Sequence, residues 1–347
     1  MIEKEVETVT IKDLAEKTGY AVATVSRALN NHPNVSEKAR AAILQAAEES
    51  GFQLNTNAKQ LKQQKATSIL VVVKGKRNEL FSELVEHIQK LVAATEYPLF
   101  VDYLDETCNE VRRALQLCRE KKPLGILFLG GNRQNFREDF DRIHVPCVLV
   151  TNNASELNYP NLGSVCVDDL QASRCAMDTL IALGHRKIVM VGGDRQVSDT
   201  SRTRYAGSMQ SLKAHQIPFD PEKDYAGGRF SYQDGYRAAA RLLAEGRPFT
   251  ALFAQADVMA IGAIRALADH GLRVPGDVSV MGFDGLPLGS FLVPQLSSIG
   301  QPADLLARRS VEMLRDCIEH GAPAVHETVP FTLSSRESIR RLEDERV

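Results

Sequence analysis

Two sets of short apolar runs, separated by stretches with helical periodicity, constrain the fold of this 347-residue chain more than any other feature. The first set is ILVVV (69–73), LFVDYL (99–104), GILFL (125–129) and CVLVT (147–151), and the second is VCVDD, KIVMVGG, TALFAQ and VSVMGFD. Near-continuous apolar runs of this length are typical of strands buried in a parallel sheet. The pattern therefore predicts an α/β body with two doubly wound parallel-sheet lobes.

The N-terminal segment has a different pattern, that of three short helices. Apolar residues recur at helical spacing before and after Gly19, and Ser36 is the expected N-cap of a third helix that reaches Gly51. Although the net charge of the chain is −2, residues 10–65 carry eight basic and five acidic side chains. A helix, a tight turn and a second helix are the parts of a helix-turn-helix DNA reader, so an all-α DNA-binding head is predicted.

The second helix of such a head presents its first residues to base edges in the major groove. Val22 and Ala23 are short enough for close approach, and their methyl groups can contact thymine methyls. Arg27 reaches either a guanine or a phosphate, and the neighbouring hydroxyl and amide side chains can donate to phosphates or sugars. The alternative is a helical module that only packs. The residues that we expect at the DNA in this segment are Thr10, Val22, Ala23, Thr24, Ser26, Arg27, Asn30, Asn31 and Asn34.

The stretch TIKDLAEKTGYAVATVSRALNNHPNVSEKARAAILQAAEESGF resembles the DNA-binding head of the lactose/galactose repressor family. Within it, VATVSR followed by NN closely resembles the galactose-repressor branch, and the resemblance extends over nearly the whole chain. It implies a body like that of periplasmic binding proteins. The implied domains are a head (1–53), a hinge (54–66) and an effector-binding and dimerisation body (67–347), whose lobes would be 67–162 with 297–328, and 163–296 with 329–342.

The resemblance also implies a hinge that folds into a helix on operator DNA. Residues 55–62 match it, with Ala58 and Leu61 at the minor groove and Leu61 acting as an apolar wedge together with its dimer mate. Leu54 stands where the family usually has proline, and Lys59 where arginine is frequent, which weakens or disorients the expected contact. Leu61 as an ordinary linker leucine is the alternative. The expected hinge contacts are Asn55, Ala58, Lys59 and Leu61.

Polar residues that follow strands predict a ligand site, because the carboxyl ends of the strands of two such lobes face each other across a cleft. The resemblance matches Arg202 to a sugar-binding arginine, with Arg204 as a second candidate, and Asp284 to an aspartate that accepts from sugar hydroxyls. Asp257 is expected either to contact the ligand or to cap a helix. The resemblance matches Phe81 and Phe230 to aromatic walls of the cleft, and the alternative is that they are ordinary core residues. The expected effector-binding residues are Phe81, Arg202, Phe230, Asp257 and Asp284.

Two positions of this cleft depart from the family pattern. Ala256 stands where an asparagine often precedes the aspartate, and Gly285 where a second aspartate or asparagine is common. A hydroxyl partner is therefore missing, and only the class of effector is predicted, a small polar molecule such as a sugar or sugar derivative. Whether the effector lowers or raises operator affinity stays open, since effectors release galactose-type relatives from DNA and promote DNA binding by purine-type relatives.

The function that these features predict is a sequence-specific DNA-binding transcriptional regulator, a repressor, whose operator affinity is controlled by the effector. The alternatives are a regulator of the same family driven by a corepressor or by a phosphorylated partner protein, and a sugar-binding transport receptor. The N-terminus MIEKEVETVTIKD lacks the apolar core of a signal peptide, which favours the cytoplasm and disfavours a transport receptor.

Several functional classes are disfavoured by missing motifs. No GxGxxG, GxxxxGK[ST], GxSxG, HExxH or CxxC spacing occurs, so neither an enzyme nor a cofactor or metal site is predicted. No apolar run approaches the ~18 residues of a membrane span, and no membrane partner is expected. The expected partners are double-stranded DNA with a near-palindromic operator, the small-molecule effector and a second copy of the chain in a homodimer, which doubles the DNA contacts of one small head.

Overall fold

The computed structural model describes residues 11–29, 35–50, 67–76, 78–246 and 248–342. The chain divides into two compact units, residues 1–65 and 66–347. The described part of the first unit consists of three helices, α1 (Ile11–Thr18), α2 (Val22–Leu29) and α3 (Glu37–Glu49).

The three helices pack around a small core of their own, in which Leu14, Val25 and Ile43 are completely buried. Gly19 makes the turn between α1 and α2 with a φ of +72°, a conformation that costs glycine little. The Oγ of Ser36 accepts a hydrogen bond from the amide of Ala39 and caps α3, as the sequence predicts. The helix-turn-helix prediction is confirmed.

The second unit is built on two six-stranded sheets, one in each lobe. All strands of the first sheet are parallel, in the spatial order β11-β5-β4-β3-β1-β2. Its strands are β1 (Ile69–Lys74), β2 (Leu99–Leu104), β3 (Gly125–Leu129), β4 (Cys147–Val150), β5 (Leu162–Cys166) and β11 (His326–Thr328). The helices of this lobe are α4 (Glu79–Ala93), α5 (Glu110–Lys121), α6 (Arg133–Asp139) and α11 (Ala303–His320).

The second sheet has the order β12-β10-β9-β8-β6-β7, and only β12 runs antiparallel to its neighbour. Its strands are β6 (Ile188–Gly193), β7 (Tyr225–Gly228), β8 (Ala251–Ala254), β9 (Ser279–Asp284), β10 (Ser297–Gly300) and β12 (Thr332–Ser334). The helices of this lobe are α7 (Asp169–Ala182), α8 (Asp199–Ala214), α9 (Tyr232–Ala244) and α10 (Asp257–Asp269). The predicted fold class is therefore confirmed.

The chain passes between the lobes three times, and two of the predicted lobe bounds differ from the structure. The prediction assigned residues 163–166 to the second lobe and 297–300 to the first, whereas β5 lies in the first sheet and β10 in the second. The physical reason is strand pairing: β5 hydrogen-bonds to β4 and β10 to β9, so the chain leaves each sheet only after the strand is complete.

One predicted buried strand is an edge strand. Within the described ranges, β2 pairs with β1 alone, and Phe100 and Tyr103 are 43% and 44% exposed. Its Asp102 accepts two hydrogen bonds from Arg113 of α5, which occupies one side of the strand. By contrast, β3, β4 and β8 are buried throughout, as their apolar sequences predict. No helix in the described ranges is long and apolar enough to cross a bilayer.

Candidate functional site

A cavity of about 1830 Å³ lies between the two lobes of the body. The first lobe contributes residues that follow β1, β3 and β4, and the second contributes residues at the ends of β6 and β9. These are the carboxyl ends of parallel strands, where ligands of doubly wound sheets bind. Four of the five expected effector-binding residues line the cavity, namely Phe81, Arg202, Phe230 and Asp284.

Arg204 lies on the cavity floor, which we define as Arg204, Asp284 and Gln301. Its side chain is only 4% exposed, its Nε donates to Oδ1 of Asp169 at 2.8 Å, and its Nη1 lies 3.5 Å from Oδ1 of Asp284. The guanidinium carbon is 3.6 Å from the ring centroid of Phe283. Two carboxylates and an aromatic face therefore hold this buried cation in one orientation.

Arg202, the first candidate of the sequence, lies at the rim of the cavity instead. Its Nη1 donates to the carbonyl oxygens of Arg195 and Gln196 at 3.0 Å, and its Nη2 donates to Asp199. These contacts fix the loop between β6 and α8. Ser201, Arg204 and Ser208 occupy the buried face of α8 at spacings of three and four. Most residues of this face are polar, so no apolar periodicity in the sequence separates the two arginines.

Asp284 ends β9 with a φ of +117°, and its Oδ1 accepts a hydrogen bond from Nε2 of Gln301 at 2.9 Å. Burial raises the pKa of Asp284 to about 6, although Arg204 acts in the opposite direction. The Oε1 of Gln301 is buried and has no hydrogen-bond partner among the described residues. Sequence reasoning missed Gln301, although it is a polar residue directly after a strand, at a crossing between the lobes.

Asp257 does not line the cavity, which corrects its assignment to the effector site. Its carboxylate is completely buried and accepts from the amide of Leu286 at 2.7 Å and from Oγ of Ser298 at 2.6 Å. Nor does it cap α10, since Ala256 is the N-cap residue and provides no side-chain hydrogen bond. Asp257 instead fastens the start of α10 to the segments around β9 and β10. Burial, together with the charge of Asp284, raises its pKa to about 8.

The two expected aromatic walls each need a glycine opposite them. A Cβ atom at Gly130 would come within 2.8 Å of the Phe81 ring, and one at Gly193 within 2.9 Å of the Phe230 ring. Phe81 belongs to the first turn of α4 in the first lobe, whereas Phe230 follows β7 in the second. The cavity therefore has an aromatic ring from each lobe.

Hydrogen bonds connect the lobes along one side of the cavity. Nδ2 of Asn132 donates to the carbonyl of Val197 at 2.8 Å, and Nδ2 of Asn152 donates to Oγ1 of Thr200 at 3.0 Å. The Asp199 carboxylate accepts from the amide of Arg133. The loop that Arg202 fixes is thus also held by the first lobe.

Charged contacts also connect the lobes, between the residues that follow β2 and those that follow β7. Arg229 of the second lobe lies 3.1 Å from Glu106 and 3.5 Å from Asp105 of the first. Nearby, the hydroxyl of Tyr232 donates to Glu79. Two groups of contacts therefore connect the lobes, and a change in the tilt of the lobes must break or rearrange them.

The exposed face of α2 carries the residues expected at base edges. Val22, Ala23 and Arg27 are exposed, whereas Val25 and Ala28 face the core. Thr24 and Ser26 are half-buried at the border between these faces. The expected contacts Thr10, Asn30, Asn31, Asn34, Asn55, Ala58, Lys59 and Leu61 lie outside the described residues. Among the residues that are described, no cluster of His, Cys, Asp or Glu side chains could hold a metal ion.

Each of the two units contains a segment that matches the model of a known protein family. Residues 10–55 match the model of the bacterial regulatory proteins of the lacI family, and residues 177–339 match that of the periplasmic binding protein-like domain. The HTH-type transcriptional regulator MalR of Clostridium butyricum is 33% identical over 333 residues, which cover 94% of this chain and 98% of MalR. The chain belongs to the lacI family.

Other members of the lacI family are similar over most of their length. The HTH-type transcriptional repressor CytR of Escherichia coli (strain K12) is 32% identical over 90% of this chain and 91% of its own. Catabolite control protein A of Priestia megaterium is 31% identical over 85% of this chain and 88% of its own. MalR and CytR are HTH-type transcriptional regulators, so the predictions of a DNA-binding transcriptional regulator and of a protein that is not an enzyme are confirmed.

Two solved structures are similar in fold to 95–96% of this chain. The lac repressor dimer bound to operator and the anti-inducer ONPF has a TM-score of 0.71 at 26% identity, with 96% of this chain and 100% of that chain covered. The complex of the transcriptional regulator CelR with cellobiose has a TM-score of 0.69 at 25% identity and covers 95% and 99%. Both the head and the body of this lacI-family member therefore have counterparts in solved structures.

Proposed function

We propose that this protein is a repressor whose affinity for a near-palindromic operator is controlled by a sugar or sugar derivative bound between the lobes. The observation that carries the proposal is the buried Oε1 of Gln301 at the cavity floor, for which the described part of the chain provides no hydrogen-bond donor. A buried amide oxygen needs an N–H or O–H donor. A ligand hydroxyl can supply it, while Asp284 offers a further acceptor beside it.

The charges of the floor favour a neutral ligand over an anionic one. The positive charge of Arg204 already faces Asp169 and Asp284, so no uncompensated cation remains there for a phosphate or carboxylate. The acceptor oxygens of Asp284 and Gln301 would in addition repel an anion. Hydroxyl groups, which both donate and accept, suit this mixture of groups, and the rings of Phe81 and Phe230 suit the apolar faces of a sugar ring.

Control of DNA binding follows from the contacts that bridge the lobes. A ligand that binds the floor and Phe81 contacts both lobes, and its affinity therefore depends on their relative tilt. By linkage, whichever tilt binds the ligand more tightly becomes more populated, and operator affinity changes with it. The cellobiose complex of CelR and the anti-inducer complex of the lac repressor are solved examples of relatives with small molecules bound.

A homodimer is part of this proposal, since one small head makes few DNA contacts. Apolar side chains suited to an interface are exposed on both lobes. Phe291 and Val293 are 82% and 95% exposed in the second lobe, and Phe100 and Tyr103 are exposed on β2 of the first. The proposed homodimer is tested by comparing the sedimentation of the wild type with that of a Phe291→Asp variant.

The remaining predictions belong to the same proposal. We place the head at 1–53, the hinge at 54–66 and the body at 67–347, with folding of the hinge on DNA, a recognition helix of the galactose-repressor type and a cytoplasmic location. A transport receptor has no use for residues 10–55, which match the lacI model. Control by a corepressor or by a phosphorylated partner protein is the alternative within the family.

The proposal is tested by isothermal calorimetry of the full chain against a panel of sugars and nucleobases, followed by operator binding with and without the ligand that binds. We expect a neutral sugar to bind, and Asp284→Ala to lower its affinity by about ten- to a hundredfold because a buried charged acceptor is lost. The ligand-free operator affinity of the variant should stay at the wild-type value. Binding of a nucleobase alone, or operator binding that responds to no small molecule, would favour the alternatives.

A second expectation concerns the head. Replacing Arg27 with alanine should weaken binding to the specific operator by about 1–3 kcal/mol more than binding to random DNA, if its guanidinium pairs with a guanine. Fluorescence anisotropy at one salt concentration measures both. Lys17→Ala is the matched control, because its ammonium already contacts Ser50 and Glu49 within the head. Equal losses on both DNAs would identify Arg27 as a phosphate contact.

A further inference from the structure

We propose that Asp169 is a positioning residue of the effector cleft, which holds Arg204 in place and sets the preference of the cleft for neutral over anionic ligands. This inference rests on the proposed function, because it concerns the same cleft. Asp169 is the first residue of α7 and is only 8% exposed, and it is not one of the residues that line the cavity. It therefore acts on a ligand through its charge and through the side chain that it holds.

The donors of Arg204 are divided between the protein and the cavity. Its Nε donates to Oδ1 of Asp169 at 2.8 Å, while its Nη1 donates to the carbonyl of Gln255 and lies 3.5 Å from Oδ1 of Asp284. No group in the described ranges accepts from Nη2, and Arg204 lines the cavity, so Nη2 is the donor that remains for a ligand. Because a guanidinium is planar and its donors have fixed directions, the bond from Nε to Asp169 helps to set where Nη2 points.

A close crossing of α7 and α8 fixes Asp169 beside Arg204. A Cβ atom at Gly207 would lie 2.1 Å from the carbonyl oxygen of Leu170, so only glycine allows the two helices to approach this closely. Leu170 directly follows Asp169 on α7, and Gly207 lies three residues after Arg204 on α8. The same crossing therefore brings the two partners of the buried ion pair together.

Asp169 makes the charge around the floor negative. Arg204 carries one positive charge, and Asp169 and Asp284 each carry a negative charge that faces it, so one negative charge is left over. Without the Asp169 charge, those of Arg204 and Asp284 would cancel. All three side chains are buried, so water screens them little and one unit of charge acts strongly on an ionic ligand nearby. Such a charge lowers the affinity for an anion much more than that for a neutral molecule, which is a preference.

Two substitutions separate the charge of Asp169 from its hydrogen bond. Asp169→Asn removes the charge but keeps an oxygen that can accept from Nε of Arg204. Asp169→Ala removes both, so the guanidinium is no longer held from this side. The matched control is Asp168→Asn, since Asp168 is the exposed neighbour that caps α7 by accepting from the amide of Gln171 at 3.0 Å. Asparagine caps helices as well as aspartate does, so the control changes the charge alone.

The experiment is calorimetry of the full chain with glucose, galactose and mannose, each beside its uronate. The two members of a pair have the same ring and differ by one carboxylate, which is ionised at the chosen pH of about 7.5. We expect the wild type to bind at least one of the neutral sugars about tenfold or more tightly than its uronate. Circular dichroism melting checks that every variant is folded.

The variants should change this preference in different ways. Asp169→Asn should reduce the ratio of the neutral to the anionic affinity by about tenfold, because only the ionic ligand gains from the loss of the carboxylate charge. Asp169→Ala should in addition lower the affinity for the neutral sugar by about tenfold, because Arg204 is no longer held. Asp168→Asn should keep the wild-type ratio. A purely structural role of Asp169 would lower both affinities together and leave their ratio unchanged.

Two results overturn the inference while the proposed function stands, provided that a sugar still binds and changes operator affinity. One is an unchanged ratio in Asp169→Asn, which would mean that the charge of Asp169 does not act on the ligand. The other is wild-type affinity of Asp169→Ala for the neutral sugar, which would mean that Asp169 does not position Arg204. Binding of none of the sugars and none of the uronates would refute both the inference and the proposed function.

Discussion

Arg204→Ala is expected to destabilise the body by about 3–5 kcal/mol, whereas Arg202→Ala should change its stability by less than about 1 kcal/mol. The two arginines lie two residues apart on α8 and differ in burial. Removing Arg204 leaves Asp169 and Asp284 buried without their cation, while Arg202 is at the rim and 42% exposed. Urea unfolding monitored by circular dichroism gives both free energies of unfolding.

The pH dependence of this loss separates charge from packing. Without Arg204, the carboxyl groups of Asp169 and Asp284 avoid the cost of buried charge by taking up protons, so part of the lost stability should return at about pH 5. A loss that is the same at about pH 5 and about pH 8 would mean that the missing side chain, rather than the uncompensated charges, causes it. Equal destabilisation by Arg202→Ala would contradict the assignment of Arg204 to the floor.

Asp257→Asn is expected to remove a large part of the pH dependence of stability. The pKa of Asp257 is raised to about 8 by burial and by Asp284. A carboxyl group whose pKa is raised by folding makes its full contribution to stability at pH values below its pKa in the unfolded chain. This contribution is lost as the pH rises from there towards the folded-state pKa of about 8. Between the unfolded-state pKa and about pH 8, the wild type should lose about 1.4 kcal/mol of stability per pH unit because of Asp257, and the variant should not.

The measurement is the free energy of unfolding of both proteins between about pH 5 and about pH 9. We expect similar stabilities at the acidic end, since the asparagine amide replaces a neutral carboxyl group there, and a more stable variant at the alkaline end. Asp277→Asn is the control, because Arg273 lowers the pKa of this half-buried carboxyl to about 2, below the window. Parallel pH curves for the wild type and Asp257→Asn would show that Asp257 is ionised throughout.

The candidate site was only partly predictable from the sequence. The cleft, Asp284 and the two aromatic walls follow from the order of strands and from the family resemblance. The choice of Arg204 over Arg202, the place of Gln301 and the exclusion of Asp257 do not, because they depend on which way a side chain points. Position 257 follows a strand, as ligand residues do, but its carboxylate turns beneath the Leu286 amide and away from the cavity.

The sequence by itself determined the two kinds of domain. Strands with near-continuous apolar runs are buried in sheets that are covered on both faces. The apolar residues that recur at helical spacing before and after Gly19 are buried where two helices cross closely. The local pattern was therefore enough to predict both kinds of domain. Tertiary structure alone decided where the chain changes lobes, that β2 is an edge, and that Arg204 rather than Arg202 reaches the floor. These outcomes depend on contacts between residues far apart in the chain. Strand β5 pairs with β11, about 160 residues later, and Arg204 with Asp284, 80 residues later. No local spacing encodes such distances.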